Sequence, residues 1–341
     1  MFRIGQVFGP LATRRLSVAP VPLWTRGFAS IPATLVKQLR DRTGASMGKC
    51  REALEHEELD LEKAHEWLRK KGIKKAEGRL NRDAGEGIVA VAQSADRAVI
   101  VELQCETDFV ARAELFLDCT DAIAKMVVNE GSGKDLEALG AVGLPAIGSL
   151  AAAPAKEVLL ELSSVLGESI LLKRVAQMER PENGVVSSYV HNASRPGIGR
   201  MAALVALRAH PSVKDEAAIA EAARGLARQV VATKPNYVKV EDIPQEVLDS
   251  ESQILLAAQR AEREASGKTL DDATAQKILQ GKLNKMYQEE VLMKQEFLRP
   301  GDDAKPPTVE KYLAEVAGQV GVDKLTVEAA TLVGVGIDSS L

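Results

Sequence analysis

Two stretches of the chain, about a hundred residues apart, share one order of hydrophobic patterns. Residues 87–103 predict two apolar strands joined by a polar turn at 94–97, and helical spacing follows. Residues 184–207 repeat the two strands around a polar segment, and a helix is predicted at 214–232. Strands alternate with a period of two residues and helices with a period of about 3.6, so the two patterns are distinguishable. The sequence therefore predicts an α+β fold built on a duplicated hairpin-then-helix unit.

This part of the chain divides into two predicted α+β subdomains with small antiparallel sheets, at residues 87–180 and 181–341. The further predicted elements are a helix near 156–166 and a strand at 170–175 in the first, and in the second a helical hairpin at 245–297, its turn at 266–268, and a strand at 326–335.

Before the first hairpin, residues 34–72 predict three short helices. Ser46 and Asp60 stand where the second and third helices need N-caps, and Gly44 and Gly72 stand where the first and third would end. A three-helix module of about forty residues with one tryptophan has a small core. It resembles ubiquitin-associated domains.

Residues 73–86 are predicted to be a basic linker. The surrounding run 69–82 contains seven Lys and Arg residues against one Glu and has no aromatic residue. Unpaired RNA bases would have no ring to stack on here. We therefore expect a solvated helix face or linker rather than an RNA-binding surface.

The first 33 residues contain four Arg and neither Asp nor Glu. Hydroxyl and apolar residues lie between the arginines, which is typical of a mitochondrial transit peptide, predicted at residues 1–29. A disordered basic arm is the alternative. Removal of this segment leaves 40 basic side chains against 48 acidic ones. Such an acidic body disfavours a general nucleic-acid binder.

The sequence offers little for enzyme chemistry. Cys50, Cys105 and Cys119 are widely spaced and form no CxxC pair, which excludes a disulfide framework and a cysteine-built zinc site. The four His residues lack an HxxxH context, and no GxxxxGK[ST] loop is present. No run approaches the roughly 18 apolar residues of a membrane helix. We predict a protein that is not an enzyme, with no metal or cofactor and no direct binding of nucleotide.

The segment Glu106–Phe109 is the most informative. It places carboxylates and a scarce phenylalanine at a predicted strand-to-helix junction. In one interpretation Thr107 or Asp108 caps the helix and Phe109 enters the core. In the other, Asp108 and Phe109 project from the junction as a contact site. The residues alone leave both open.

The same segment belongs to a longer string with a family resemblance. The string CETDFVAR at residues 105–112 resembles the C-[EQ]-T-D-F-V-A-[RK] signature of elongation factor Ts. Further segments resemble the family in the same order along the chain, at residues 35–45, 167–170, 188–191 and 232–237. The resemblance covers about residues 34–338. One departure is MGKC at residues 47–50, where the family usually reads M-M-[DE]-C.

Members of this family are guanine-nucleotide exchange factors for the GTPase elongation factor Tu. The resemblance implies that Asp108 and Phe109, with Thr107 beside them, disturb the GTPase near its magnesium and phosphate site. It also implies that the helical module, with Met47, holds the GTP-binding domain and that the hairpin of His191 touches another domain. With the transit-like segment, it implies a mitochondrial member whose partner is mitochondrial elongation factor Tu.

Two other functions stay open at this point. The first is a ubiquitin-binding adaptor built on the Met47–Gly48 loop of the helical module. Matrix targeting and the extensive α+β region disfavour it. The second is an enzyme that uses Cys105 as a nucleophile, although the apolar context favours a buried structural cysteine.

Overall fold

The computed structural model describes residues 31–79, 82–131, 135–265, 272–298 and 306–337. The predicted transit peptide at 1–29 and the predicted hairpin turn at 266–268 lie outside these ranges. Within them, none of the helices has both the length and the apolar character needed to cross a membrane. The predicted α+β fold class is confirmed, since helices combine with small antiparallel sheets.

Three helices form the N-terminal module: α1 (Ala33–Thr43), α2 (Met47–His56) and α3 (Leu61–Glu77). Its small core includes Val36, Leu39, Cys50, Ala53, Leu54 and Ala64. Asp60 caps α3 as predicted, because its carboxylate accepts the backbone N–H groups of Glu62 and Lys63, both at 3.1 Å.

The first sheet has four strands, and its pairs are antiparallel. Their spatial order is β5 (Leu171–Glu179), β2 (Arg97–Cys105), β1 (Glu86–Gln93) and β7 (Ile198–Gly199). Between β2 and β5 the chain forms α4 (Asp108–Ala111), α5 (Glu114–Glu130), α6 (Leu136–Ala141), the short pair β3 (Gly143–Leu144) and β4 (Ala153–Pro154), and α7 (Ala155–Leu166). Phe116, Ile123 and Leu162 from these helices pack on the sheet.

Helix α3 does not end at Gly72, where the sequence predicts its end. It continues to Glu77, so five residues of the predicted linker 73–86 are helical. A Cβ atom on Gly72 would lie 2.0 Å from the hydroxyl oxygen of Ser164 in α7. This glycine therefore permits close packing of two helices instead of terminating one.

The second sheet consists of β6 (Gly184–His191), β8 (Met201–His210) and β9 (Lys324–Gly334), in that order and antiparallel. Its core includes side chains of α8 (Glu216–Thr233) and α11 (Val309–Val320). The short strand β7 lies between β6 and β8 in the chain but pairs with β1, with Val89 opposite Gly199. The second unit thus supplies the last strand of the first sheet.

The two sheets pack face to face between their helices. Strand β2 shows this most clearly: Ala98 and Ile100 lie in the apolar cluster between the sheets, whereas Val99, Val101 and Leu103 pack towards α5 and α7. Both faces of β2 are therefore buried, which explains its nearly continuous apolar sequence.

Helices α9 (Gln245–Ala265) and α10 (Asp272–Glu290) contact each other, in keeping with the predicted helical hairpin. The helical run ends at Glu290 rather than at 297. Beyond it, Leu292 and Phe297 enter the core of the second subdomain, and the Phe297 ring stacks on Tyr312 with centroids 3.8 Å apart. Burial of these apolar side chains is favoured over continuation of the helix into solvent.

Candidate functional site

The chain turns from β2 into α4 at Thr107, which is the N-cap of that helix. Its Oγ1 accepts the backbone N–H of Val110 at 3.4 Å. Asp108 is not the cap: it is half-exposed and forms an ion pair with Arg112 at 3.0 Å. Capping by Thr107 leaves the Asp108 carboxylate at the surface.

Phe109 points into solvent with 83% of its surface exposed, although its neighbours Val110 and Ala111 are buried. It is the most exposed large apolar side chain among the described residues. A phenylalanine in water forgoes the roughly 1.5–3 kcal/mol that burial would contribute. Of the two interpretations left open by the sequence, the core position of Phe109 is therefore wrong, and the projecting position is what the structure has.

Two carboxylates fix the main chain of this turn. Oε2 of Glu168 accepts the backbone N–H groups of Glu106 at 3.1 Å and Thr107 at 3.0 Å, while its Oε1 accepts the Thr107 hydroxyl at 2.6 Å. In the opposite direction, Glu106 Oε1 accepts the backbone N–H of Ser169 at 2.7 Å. We call Glu106 and Glu168 the carboxylate bracket.

Sequence reasoning missed Glu168 as a site residue. Its partner Thr107 is 61 positions away, a separation that no local pattern encodes. An indirect sign was present, because Glu168 follows Gly167, whose φ of 84° ends α7 in the left-handed conformation. A carboxylate directly after such a helix end can contact a segment that is distant in sequence but adjacent in the fold.

Met47 opens helix α2 and is 46% exposed. The space around the next residue, Gly48, is open. The loop 44–46 before Met47 and the end of α7 at Ser164 and Val165 line one cavity of about 360 Å³. The loop that precedes Met47 thus faces the helix that leads to the carboxylate bracket.

His191 is exposed at the end of strand β6. Glu86 pairs in register with Cys105 at the start of the turn that leads to Phe109. Its carboxylate also forms an ion pair with Arg200, whose backbone N–H donates to the carbonyl of His191 at 3.2 Å. Phe109 and His191 therefore lie at the same end of the two packed sheets.

Comparison with known proteins identifies the family. A family model described as "Elongation factor TS" matches residues 106–336, which is more than half of the chain. The chain belongs to the elongation factor Ts family. The matched range begins at Glu106, after strands β1 and β2, and includes the rest of the first subdomain, the second sheet, the carboxylate bracket and His191.

Bacterial relatives named elongation factor Ts match a similar extent. The protein of Rhizobium rhizogenes is 37% identical over 268 residues, which cover 79% of this chain and 82% of the relative. That of Rhodospirillum rubrum is 37% identical over 283 residues, or 83% and 87% of the two chains. That of Gluconobacter oxydans is 37% identical over 290 residues, which cover 85% of this chain and 90% of the relative.

Cys105 of this elongation factor Ts chain is fully buried, and its Sγ donates a hydrogen bond to the Thr107 carbonyl at 3.2 Å. Burial, reinforced by the nearby Glu168 carboxylate, raises the pKa of the Cys105 thiol from 9.0 to about 12. Burial likewise raises the pKa of Cys119 to about 12. Thiols of this kind stay protonated at neutral pH, which disfavours a nucleophilic role. Among the described residues, no group of His, Cys, Asp and Glu is arranged to hold a metal ion.

The native chain should therefore react slowly with a thiol reagent at pH 8. We expect labelling about 100-fold slower than in denaturant, because the thiolate fraction and access both fall on burial. Absorbance-monitored labelling measures the rates.

The buried thiols also make stability depend on pH. Above about pH 9 the unfolded chain loses thiol protons that the native chain retains up to about pH 12, so the free energy of unfolding falls across that range. A folded Cys105→Ala protein without function would contradict the structural role.

Proposed function

We propose that this chain is a guanine-nucleotide exchange factor for elongation factor Tu and that it works in the mitochondrial matrix. Membership of the elongation factor Ts family supports the activity. The observation that carries the site is Phe109, which is 83% exposed at a turn held by four charge-assisted hydrogen bonds. A rigid, projecting aromatic side chain is suited to a protein contact rather than to the core of its own fold.

The proposed mechanism is binding without covalent chemistry. Asp108 and Phe109 approach the magnesium and phosphate site of the GTPase, while Met47 and His191 hold other parts of it. Magnesium bridged to phosphate oxygens contributes strongly to nucleotide affinity. By disturbing the coordination of that magnesium, the Asp108 carboxylate and the Phe109 ring would weaken GDP binding, after which GTP could enter.

Thermodynamic linkage gives the test. GDP with magnesium should weaken binding of this chain to mitochondrial elongation factor Tu by the same factor by which the chain weakens GDP binding, because free energies around a closed cycle sum to zero. Release of a fluorescent GDP, with and without the chain, gives the rate. Titration of the purified pair with GDP, with magnesium and with chelator, gives the linkage.

If the complex is indifferent to GDP under both conditions, the exchange function is abandoned. The exposed Met47 at the start of α2 keeps the ubiquitin-binding adaptor as the second candidate. Titration of the chain with ubiquitin in the same buffer separates the two, because an exchange factor needs no affinity for ubiquitin.

The matrix location rests on residues 1–29, and their deletion should separate targeting from activity. The truncated chain should release GDP at a rate within about twofold of the full chain, since its first helix begins only at Ala33. Import into isolated mitochondria should be lost. Replacement of Arg3, Arg14, Arg15 and Arg26 by Gln is the matched control and should abolish import without shortening the chain. A folded truncation without exchange activity would contradict the targeting role.

A further inference from the structure

Two arginines that follow helix α3 connect the chain there to the carboxylate bracket. The guanidinium of Arg79 donates to the backbone carbonyl of Ser163 at 3.0 Å, and the Ser163 hydroxyl donates to the carbonyl of Glu168. Arg82 donates to Glu106 Oε1 at 3.3 Å. The segment after the N-terminal module is therefore bonded directly to Glu106 and, through Ser163, to the backbone of Glu168.

Glu168 controls more than one bond of the turn. The Thr107 hydroxyl donates to Glu168 and at the same time accepts the N–H of Val110. These two hydrogen bonds together fix the rotamer of Thr107 and the start of α4. Hydrogen bonds to a carboxylate are roughly twice as strong as those between neutral groups. The direction in which Phe109 leaves the turn depends on this arrangement.

We propose that Glu168 is a positioning residue for nucleotide exchange, which acts through Phe109. The inference rests on the proposed exchange function. Glu168 itself is partly covered by the turn it holds, so it serves the partner by fixing where Phe109 meets it. A small misplacement of a contact group can cost a large part of its effect.

The alternative is that the bracket only stabilises the fold. Both roles lower activity when Glu168 is changed, but they differ in how they combine with Phe109. If Glu168 acts through Phe109, its change has little effect once Phe109 is absent. If it acts independently, the two effects multiply.

The experiment uses the full chain with Glu168→Gln, Phe109→Ala and the double variant. Glu157→Gln, which changes a half-exposed carboxylate on α7, the helix before Glu168, is the matched control. At saturating concentration Glu168→Gln should lower the GDP-release rate about tenfold, with the half-saturating concentration changed by less than about threefold. In the Phe109→Ala background the same change should cost less than about twofold. A multiplicative loss would overturn the proposal.

Amide hydrogen exchange of the free chain tests the bracket without the partner. The N–H groups of Glu106 and Thr107 should lose about tenfold or more of their protection in Glu168→Gln, while strand β1 keeps its own. Unchanged protection would overturn the bracket even if exchange activity is present. A wild-type chain that does not accelerate GDP release would instead end the proposed function and leave the bracket intact. If Glu168→Gln does not fold, Glu168→Asp replaces it in both experiments, because this variant keeps the charge and shortens the side chain.

Discussion

Phe109→Ala should slow GDP release by about 30-fold or more while leaving the free energy of unfolding within about 0.5 kcal/mol of the parent. The stability change is small because 83% of this side chain is already in water. The activity change is large because an aromatic hot spot typically contributes at least about 2 kcal/mol to an interface, which corresponds to about 30-fold. Fluorescent GDP release and thermal melting measure the two effects on one sample.

Phe116→Ala is the matched control, with the same chemical change one helix further along. Phe116 is fully buried in the first core, so its truncation should cost about 3–5 kcal/mol of stability. The fraction that remains folded should still bind the GTPase. A large fall in melting temperature for Phe109→Ala, or unchanged GDP release, would contradict the proposed contact site.

Arg174→Met should destabilise the fold by about 3–5 kcal/mol, which is the usual cost of leaving a buried charge without its partner. Its guanidinium bonds Glu102, whose exposed fraction is 0%, through Nε at 2.8 Å and Nη2 at 2.7 Å. Nη2 also donates to the backbone carbonyls of Gly334 at 3.1 Å and Ile337 at 2.9 Å. One side chain thus joins the first sheet to the end of β9 in the second. Denaturant unfolding measures the loss.

Arg208→Met provides the comparison, because Arg208 pairs with Glu328 at 3.6 Å while both side chains remain over a third exposed. Such a surface pair contributes at most about 1 kcal/mol. A combined Glu102→Leu and Arg174→Met variant should recover part of the lost stability, since the buried charge is removed together with its partner. A loss below about 1 kcal/mol for Arg174→Met alone would contradict this prediction, because it would mean that other groups stabilise the buried Glu102 carboxylate.

The sequence predicts elements well where local periodicity decides them. Strands β1, β2, β6 and β8 and helix α8 lie close to where alternation and helical spacing place them. It fails at Gly72, because a glycine between two packed helices and a glycine at a helix end are identical in sequence. The sequence also does not predict that β7 joins the first sheet, because a strand of two residues is too short to show an alternating hydrophobic pattern.

For the candidate site too, the sequence predicts what a local pattern decides and misses what depends on distant residues. The strand-to-helix junction before Phe109 could be located, and the family resemblance gave Asp108 and Phe109 their expected roles. Whether Phe109 faces the core or solvent could not be decided, because α4 is only four residues long and has no amphipathic pattern of its own. Its orientation depends on Glu168, which folding brings from a distant part of the chain.

The pairing of β7 with β1 has a consequence for synthesis on the ribosome. The edge of β1 that receives Gly199 stays unpaired until about 110 further residues have been made. During that interval β1 exposes free backbone N–H and C=O groups, which are a template for wrong pairing with other chains. Domains usually fold as units while the chain emerges, N-terminal part first. In this chain the earlier half cannot be completed until the later half has begun to form.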